Sequence, residues 1–404
     1  MKHINSLNSN PYNCSGCSAC QSICPKQCIK MISDKEGFLY PKVDDSVCVQ
    51  CGLCTQVCPW LNENNHNVEG YPKVYAVKHK SDLIREFSTS GGAFSSIAEY
   101  VLSLEGVIYG AAFVKETQRV EHICIRQDSD LYRLRGSKYV QSYIGNTYRY
   151  VRDDLKDGKY VLFVGTPCQC DGLKYFLQKD YPRLYIVDIL CHGVPSPLIL
   201  HDTLLSYGGD VNDIKFRDKS FGWHDSYHFQ IMLQDKVITN ETYLNLYFRG
   251  VLSRKSCYHC QYMTTNRVSD LTIGDYWNIS NAVPSFEDKL GVSCILVNRA
   301  KGDELLQKCL PMLEYCMTPL EPAIQGCMHK YNKEPKLREL FWKDYSMMSY
   351  EYCMKKYGHY TIPHSLHRMK SYEYCMKKYG HYTCWEKIKG RSYRYILKFL
   401  KKLF

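Results

Sequence analysis

Nine of the 22 cysteines lie before residue 60, and eight of those nine repeat one pattern. Cys14, Cys17, Cys20 and Cys24 are followed by Pro25, and Cys48, Cys51, Cys54 and Cys58 by Pro59, so C-x2-C-x2-C-x3-C-P occurs twice. Three thiolates at this spacing wrap one [4Fe-4S] cubane in a tight loop, while the fourth points at the neighbouring cubane. The spacing assigns Cys14, Cys17, Cys20 and Cys58 to one cluster, and Cys48, Cys51, Cys54 and Cys24 to the other. Zinc also accepts four thiolates, but two copies of the full spacing with its proline fit cubanes better. Two adjacent cubanes pass single electrons and bind no organic substrate, so this segment reads as a conduit. Cys28 belongs to neither motif and reads as a small buried residue, or as a spare thiol uncovered when a cluster is lost.

What the conduit feeds must lie further along. The apolar run Tyr160-Val161-Leu162-Phe163-Val164 reads as a buried strand and enters Gly165-Thr166-Pro167-Cys168 directly. A second such run, residues 184–190, enters Cys191-His192-Gly193-Val194-Pro195. Loops leaving the carboxyl ends of strands are where open alternating sheets bind ligands. Cys257 and Cys260 form a further C-x2-C pair. If these loops converge, Cys168, Cys191, Cys257 and Cys260 make a third [4Fe-4S] site. Zinc in the same pocket and ordinary buried cysteine stand beside that reading. Cys170 is a poorer ligand, because one intervening residue strains both thiolates toward one cube face.

Upstream, Ser90-Gly91-Gly92 precedes a run with helical spacing. Free amides at such a helix start can cradle a phosphate, or simply form a capped tight turn. Arg135 and Lys138 flank Gly136 and suit phosphate or carboxylate recognition, with solvated charge as the plainer reading. No G-x-G-x-x-G follows a strand and no phosphate-loop motif occurs, which disfavours the standard dinucleotide and nucleotide-hydrolase folds.

The elements that must hold these residues form a small module and a larger one. Residues 1–62 read as a two-cluster ferredoxin-like domain with a short hairpin over residues 32–41. Residues 63–72 read as a linker, residues 73–330 as an α/β domain with further strands over 73–78 and 107–114, and residues 331–404 as a basic helical tail. The fold class expected is α+β. The net charge of +11 is concentrated in that tail, where residues 328–404 hold 18 basic and 6 acidic side chains. Residues 349–361 recur unchanged as residues 371–383, each copy reading as a short helix and a turn. Residues 387–404 mix cations with apolar groups and would suit a partner or an anionic membrane surface. Nucleic acid is disfavoured, since the cysteines match cubane spacing and the positive charge lies far from them in sequence. No signal-length or membrane-spanning apolar stretch stands out. The expectation is a cytoplasmic protein, with peripheral attachment to the inner face of the membrane as an option.

Ser90-Gly91-Gly92, Gly165-Thr166-Pro167-Cys168, Cys191-His192-Gly193-Val194-Pro195-Ser196, Cys257-x2-Cys260 and Asp270-x3-Gly274-Asp275-Tyr276-Trp277 occur in this order. With them the chain, from about residue 10 to about residue 330, resembles the beta subunits of coenzyme F420-reducing hydrogenases and dehydrogenases, carrying an N-terminal two-cluster ferredoxin extension. The resemblance implies a flavin-binding-type α/β domain that holds FAD, receives electrons from iron-sulfur clusters and exchanges a hydride with a two-electron partner. It places the pyrophosphate at Ser90, Gly91, Gly92, Arg135 and Lys138, and the ring near Thr166, Pro167 and His192. His192 is then a donor to the reduced flavin, a residue orienting a cluster thiolate, or a satisfied core histidine. The expected function is an iron-sulfur flavoprotein oxidoreductase serving an electron-transfer protein or a small redox coenzyme. The alternative is a nonenzymatic electron carrier with a docking domain.

Overall fold

A computed structural model describes residues 10–62, 73–329 and 333–358. The linker 63–72, the second repeat copy and the stretch 387–404 lie outside the described residues. Near the N-terminus, helix α1 (Ala19–Ile23) precedes strands β1 (Ile29–Ser33) and β2 (Leu39–Val43), which pair antiparallel from Ile29↔Val43 to Ser33↔Leu39. Their turn is held by Asp34 Oδ1, which accepts from the amides of Glu36 and Phe38, each at 2.9 Å. Gly37 (φ +84°) is required in this turn, because a Cβ there would stand 2.3 Å from Leu198 Cβ.

The larger part is built on an eight-stranded mixed sheet of order β13-β3-β12-β11-β7-β6-β4-β5. Its strands are β3 (Lys73–His79), β4 (Val107–Val114), β5 (Arg119–Ile125), β6 (Val161–Gly165), β7 (Leu184–Ile189), β11 (Leu271–Asp275), β12 (Ser293–Val297) and β13 (Leu313–Thr318). The pairs β4/β6, β6/β7 and β7/β11 are parallel, and antiparallel strands close both flanks. Alternation along β6 divides its side chains between two layers. Leu162 faces helix α2 (Ala93–Ser103), whereas Val161 and Phe163 face α3 (Thr147–Lys156) and α4 (Pro167–Leu177). Ala19 and Val57 join that second layer, so the cysteine-rich segment shares a core with the large sheet.

Downstream, α5 (Pro197–Leu205), a three-stranded sheet of β8 (Asp213–Lys215), β9 (Phe229–Met232) and β10 (Val237–Asn240), and α6 (Glu241–Phe248) build a separate core. Helices α7 (Lys336–Tyr345) and α8 (Tyr350–Tyr357) cover it with Phe341, Trp342, Cys353 and Tyr357. Arg338 of α7 makes two hydrogen bonds to the Glu36 carboxylate in the β1–β2 turn, and both side chains are buried. This bond ties the far end of the described chain to its beginning.

Candidate functional site

The two cysteine loops have the same backbone. Gly16 and Ser18 in the first, and Gln50 and Gly52 at the equivalent places in the second, all adopt positive φ. Left-handed residues on either side of the middle cysteine tighten each loop. Burial pushes the Cys17 and Cys20 thiols well above their ordinary range, and mutual proximity with Cys14 and Cys58 pushes them further. Cys58 is raised to about 11 by burial, with Cys14 and Cys54 adding to it. As thiolates, groups so crowded and dry would need a cation among them, and a metal deprotonates coordinating thiols outright. In the same loops Ser22 Oγ and Trp60 Nε1 are buried without a protein partner, which suits donors to inorganic sulfide. The other four cysteines of the motifs, Cys24, Cys48, Cys51 and Cys54, line a cavity of about 80 Å³ together with Cys28.

Thr166 follows β6 and caps α4, its side chain and that of Gln169 forming a reciprocal capping box over Pro167 and Cys168. The Thr166 Oγ1 lies 3.1 Å from Cys168 Sγ. Cys191 follows β7, and burial together with Cys257, Cys168 and Cys260 around it raises its thiol well above the usual range. Burial likewise raises Cys257 to about 11, with Cys168 nearby. Thus the two strand-end loops and the C-x2-C pair do meet. Gly193 (φ +106°) lets them do so, for a Cβ there would lie 3.3 Å from Cys257 Cβ. Arg267, buried and with Nε and Nη2 lacking a protein partner, acts electrostatically on Cys260 and supplies positive charge at this group. Among the described residues, no three His, Cys, Asp or Glu side chains close round a single metal ion. Cys170 turns away into the core, its Sγ 3.6 Å from the Val187 carbonyl. Cys17 of the first loop is also within electrostatic reach of Cys168. Gly172 of α4 makes room for it, since a Cβ at that position would stand 2.9 Å from Cys17 Cβ.

Beside these thiols, at the carboxyl ends of β6, β7 and β11, opens a cavity of about 1440 Å³. Cys191, His192 and Cys257 line one part of it, and Ser90, Gly92, Arg135 and Lys138 another. The two anion-cradle candidates are brought together by Thr89, whose Oγ1 accepts from the Ser137 amide at 2.8 Å and lies 3.1 Å from Ser137 Oγ. Gly92 (φ +90°) caps α2. Gly91 has no room for a side chain, as a Cβ would be 2.2 Å from the Val77 carbonyl. Arg135 Nε donates to Ser95 Oγ at 3.0 Å, and Lys138 Nζ to the carbonyls of Arg133 and Arg135 at 3.1 and 2.7 Å. Lys138 is half-buried in the cavity wall, and this burial pushes its ammonium down to about 7. His192 projects into the cavity and is raised to about 9, first by the neighbouring Cys327 and further by Asp275 and Gln325, against the opposing effect of burial. Burial favours the Cys327 thiol, but the His192 charge outweighs it and Cys327 falls below its ordinary value.

Several residues with clear roles carried no recognisable signal in the sequence. Arg254, fully buried, donates from Nε to the Cys14 carbonyl at 2.8 Å and from Nη2 to the Leu39 carbonyl at 3.0 Å. Its Nη1 donates to Gln141 Oε1 at 2.9 Å, and Gln141 Nε2 donates to the Ser15 carbonyl at 3.2 Å. The same cation acts on Cys168 and Cys257, so it stands between the first cysteine loop and the third thiol group. A second network backs the Thr166 loop. Gln169 Nε2 donates to Ser142 Oγ at 3.0 Å, and Ser142 Oγ lies 3.0 Å from His122 Nδ1. His122 Nε2 faces the Val164 carbonyl at 3.1 Å. A carbonyl only accepts, so the proton is on Nε2 and Nδ1 accepts from Ser142.

Three family models match the chain. "4Fe-4S dicluster domain" covers residues 13–62, and the N-terminal and C-terminal models of "Coenzyme F420 hydrogenase/dehydrogenase, beta subunit" cover residues 74–146 and 158–323. Over 188 residues, 46% of this chain, it is 25% identical to the coenzyme F420-dependent sulfite reductase of Methanocaldococcus jannaschii, of which it spans 28%. A chain from the F420-reducing [NiFe] hydrogenase complex of Methanosarcina barkeri aligns at 16% identity with a TM-score of 0.45, covering 73% of this chain and 91% of that one.

Proposed function

This chain is a coenzyme F420 hydrogenase/dehydrogenase beta-subunit-like protein with an N-terminal 4Fe-4S ferredoxin domain, and we propose from that premise that it relays electrons between iron-sulfur clusters and FAD. In this reading Cys14, Cys17, Cys20 and Cys58 hold one [4Fe-4S] cluster and Cys24, Cys48, Cys51 and Cys54 a second. Cys168, Cys191, Cys257 and Cys260 hold a third, and FAD lies in the large cavity. The clusters supply one-electron transfer and the flavin interconverts one- and two-electron chemistry. The chain's own residues hold the route together. Cys54 lies within electrostatic reach of Cys20 and Cys58, Cys17 within that of Cys168, and Cys191 with Cys257 lines the cavity. That succession of thiol groups, ending on the cavity wall, is the observation that carries the proposal.

At the cavity, the α2 N-terminus with Ser90, Gly91 and Gly92, together with Arg135 and Lys138, would take the flavin pyrophosphate. Thr166, Pro167 and His192 would border the ring. Raised toward its charged form first by Cys327, His192 would be placed to donate a hydrogen bond to an anionic ring. The cavity exceeds the roughly 300–1,000 Å³ of ordinary ligand pockets, which leaves space for a second planar molecule or the edge of an electron-transfer partner.

Anaerobic purification with iron, sulfide and flavin measured on one sample tests this reading. About twelve irons per chain and one FAD are expected, with Cys191→Ser losing about four irons and retaining about eight. NADH, reduced ferredoxin and reduced F420 are then screened as donors for flavin bleaching. Protein without acid-labile sulfide, or with full iron and no flavin, would overturn it, the latter in favour of a plain electron carrier.

A further inference from the structure

The small cavity between the second cysteine loop and β1 has five thiols on its wall, one more than a [4Fe-4S] cluster uses. The fifth is Cys28, whose Sγ lies 3.4 Å from that of Cys24. This closeness comes from the backbone. Gln27 adopts φ +52° and its amide donates to the Cys24 carbonyl at 3.3 Å, folding the chain back between the two cysteines. Cys28 is anchored on the other side, where its carbonyl accepts from the Asp44 amide at 2.8 Å. Hence the two thiols meet at one corner of the same cavity.

The fifth thiol also accompanies the more open of the two N-terminal sets. Cys51 is exposed and Cys48 and Cys54 are half-buried, whereas Cys14, Cys20 and Cys58 are all buried. Beside Cys51, Val49 is 58% exposed, so solvent and small oxidants reach this set first.

Resting on the cluster reading above, we propose that Cys28 is a reserve ligand of the second cluster, able to replace Cys24. In the exchange the iron–sulfur bond to Cys24 breaks and one to Cys28 forms, while the Cys28 S–H proton passes across the contact to Cys24 Sγ. No electron is gained or lost and no co-reactant is consumed. The pair thereby gives the solvent-facing cluster two interchangeable attachments at its corner beside β1.

The full-length chain, purified anaerobically, tests this by iron and sulfide content and by low-temperature EPR of the reduced protein. Wild type, Cys28→Ala and Cys24→Ser are expected to hold the same iron, with the second-cluster signal altered in Cys24→Ser. The double variant C24S/C28A is expected to lose about four irons and keep the first-cluster signal, which shows in each variant that the region is folded. Loss of about four irons in Cys24→Ser alone or in Cys28→Ala alone would overturn the reserve role, and so would full iron in the double variant. Wild-type protein lacking the second-cluster signal would remove the cluster reading itself, an outcome distinct from failure of the exchange.

Discussion

Arg254 joins two parts of the molecule through one guanidinium, and its surroundings make substitution costly. Arg254→Met would leave the Cys14 and Leu39 carbonyls and Gln141 Oε1 without their donor in a dry site. Hydrogen bonds from a charged group are each worth about 1.5–3 kcal/mol, so the variant should melt several degrees lower and release residues 10–62 to limited proteolysis. Arg254→Lys keeps the charge but loses the planar fork and should fall between the two. An unchanged melting curve and cleavage pattern in Arg254→Met would show that the contact holds nothing. His122 yields a pH prediction. Burial lowers it to about 4, opposed by the bond to the Val164 carbonyl. The unfolded chain titrates near 6.5 and therefore takes up the proton first as pH falls. The contribution of the buried neutral imidazole is full above about pH 6.5 and drains away toward pH 4, an effect of up to about 3 kcal/mol. Wild-type stability should fall more steeply over that window than that of His122→Asn, and parallel curves would refute the assignment.

At the scale of elements, the described part of the first repeat copy, residues 349–358, is a helix with a defined berth. In the first copy Ser349 caps α8, accepting from the Tyr352 amide at 3.2 Å. Tyr357 donates to Asp344 at 2.7 Å and Cys353 is completely buried. Residues 371–383 carry the same side chains in the same order. Deleting residues 349–370 would bring that second copy directly after Met348, with every berth contact chemically intact. Its melting temperature should match that of the full chain, whereas ending the chain after Met348 should lower it by exposing the slot under Cys353 and Tyr357. A deletion as destabilising as the truncation would mean that flanking residues, and not the repeated segment, fill the berth. The strand-end loops make a related point. Residues 161–165 and 184–189 announce themselves as strands by apolar runs, because a central parallel strand is covered on both faces.

For the molecule as a whole, the mixed sheet is a platform whose carboxyl edge carries the third thiol group and the large cavity, with the cysteine-rich segment seated against α3 and α4. No helix among the described residues is long and apolar enough to cross a membrane. Local spacing made the ferredoxin-type segment, the small hairpin and the central strands legible, since each rests on residues near in sequence. The grouping of Cys168, Cys191, Cys257 and Cys260 stood as one of several readings, because loops far apart in sequence meet only once a sheet orders its strands. Arg254, Gln141 and Arg338 gave no signal at all: a cation or an amide in a sequence looks solvated until partners more than 100 residues away surround it, as Ser15 does for Gln141 and Glu36 for Arg338, and His122 and Ser142 gave none because their partners, 20 to 42 residues away, come from separate elements. Sequence by itself determined the cysteine spacing and the strand and helix pattern, which are short-range properties of a chain. Tertiary structure alone decided which thiols face one another, where the cavity opens and that Cys28 stands beside Cys24, because those depend on packing across elements that no local pattern encodes.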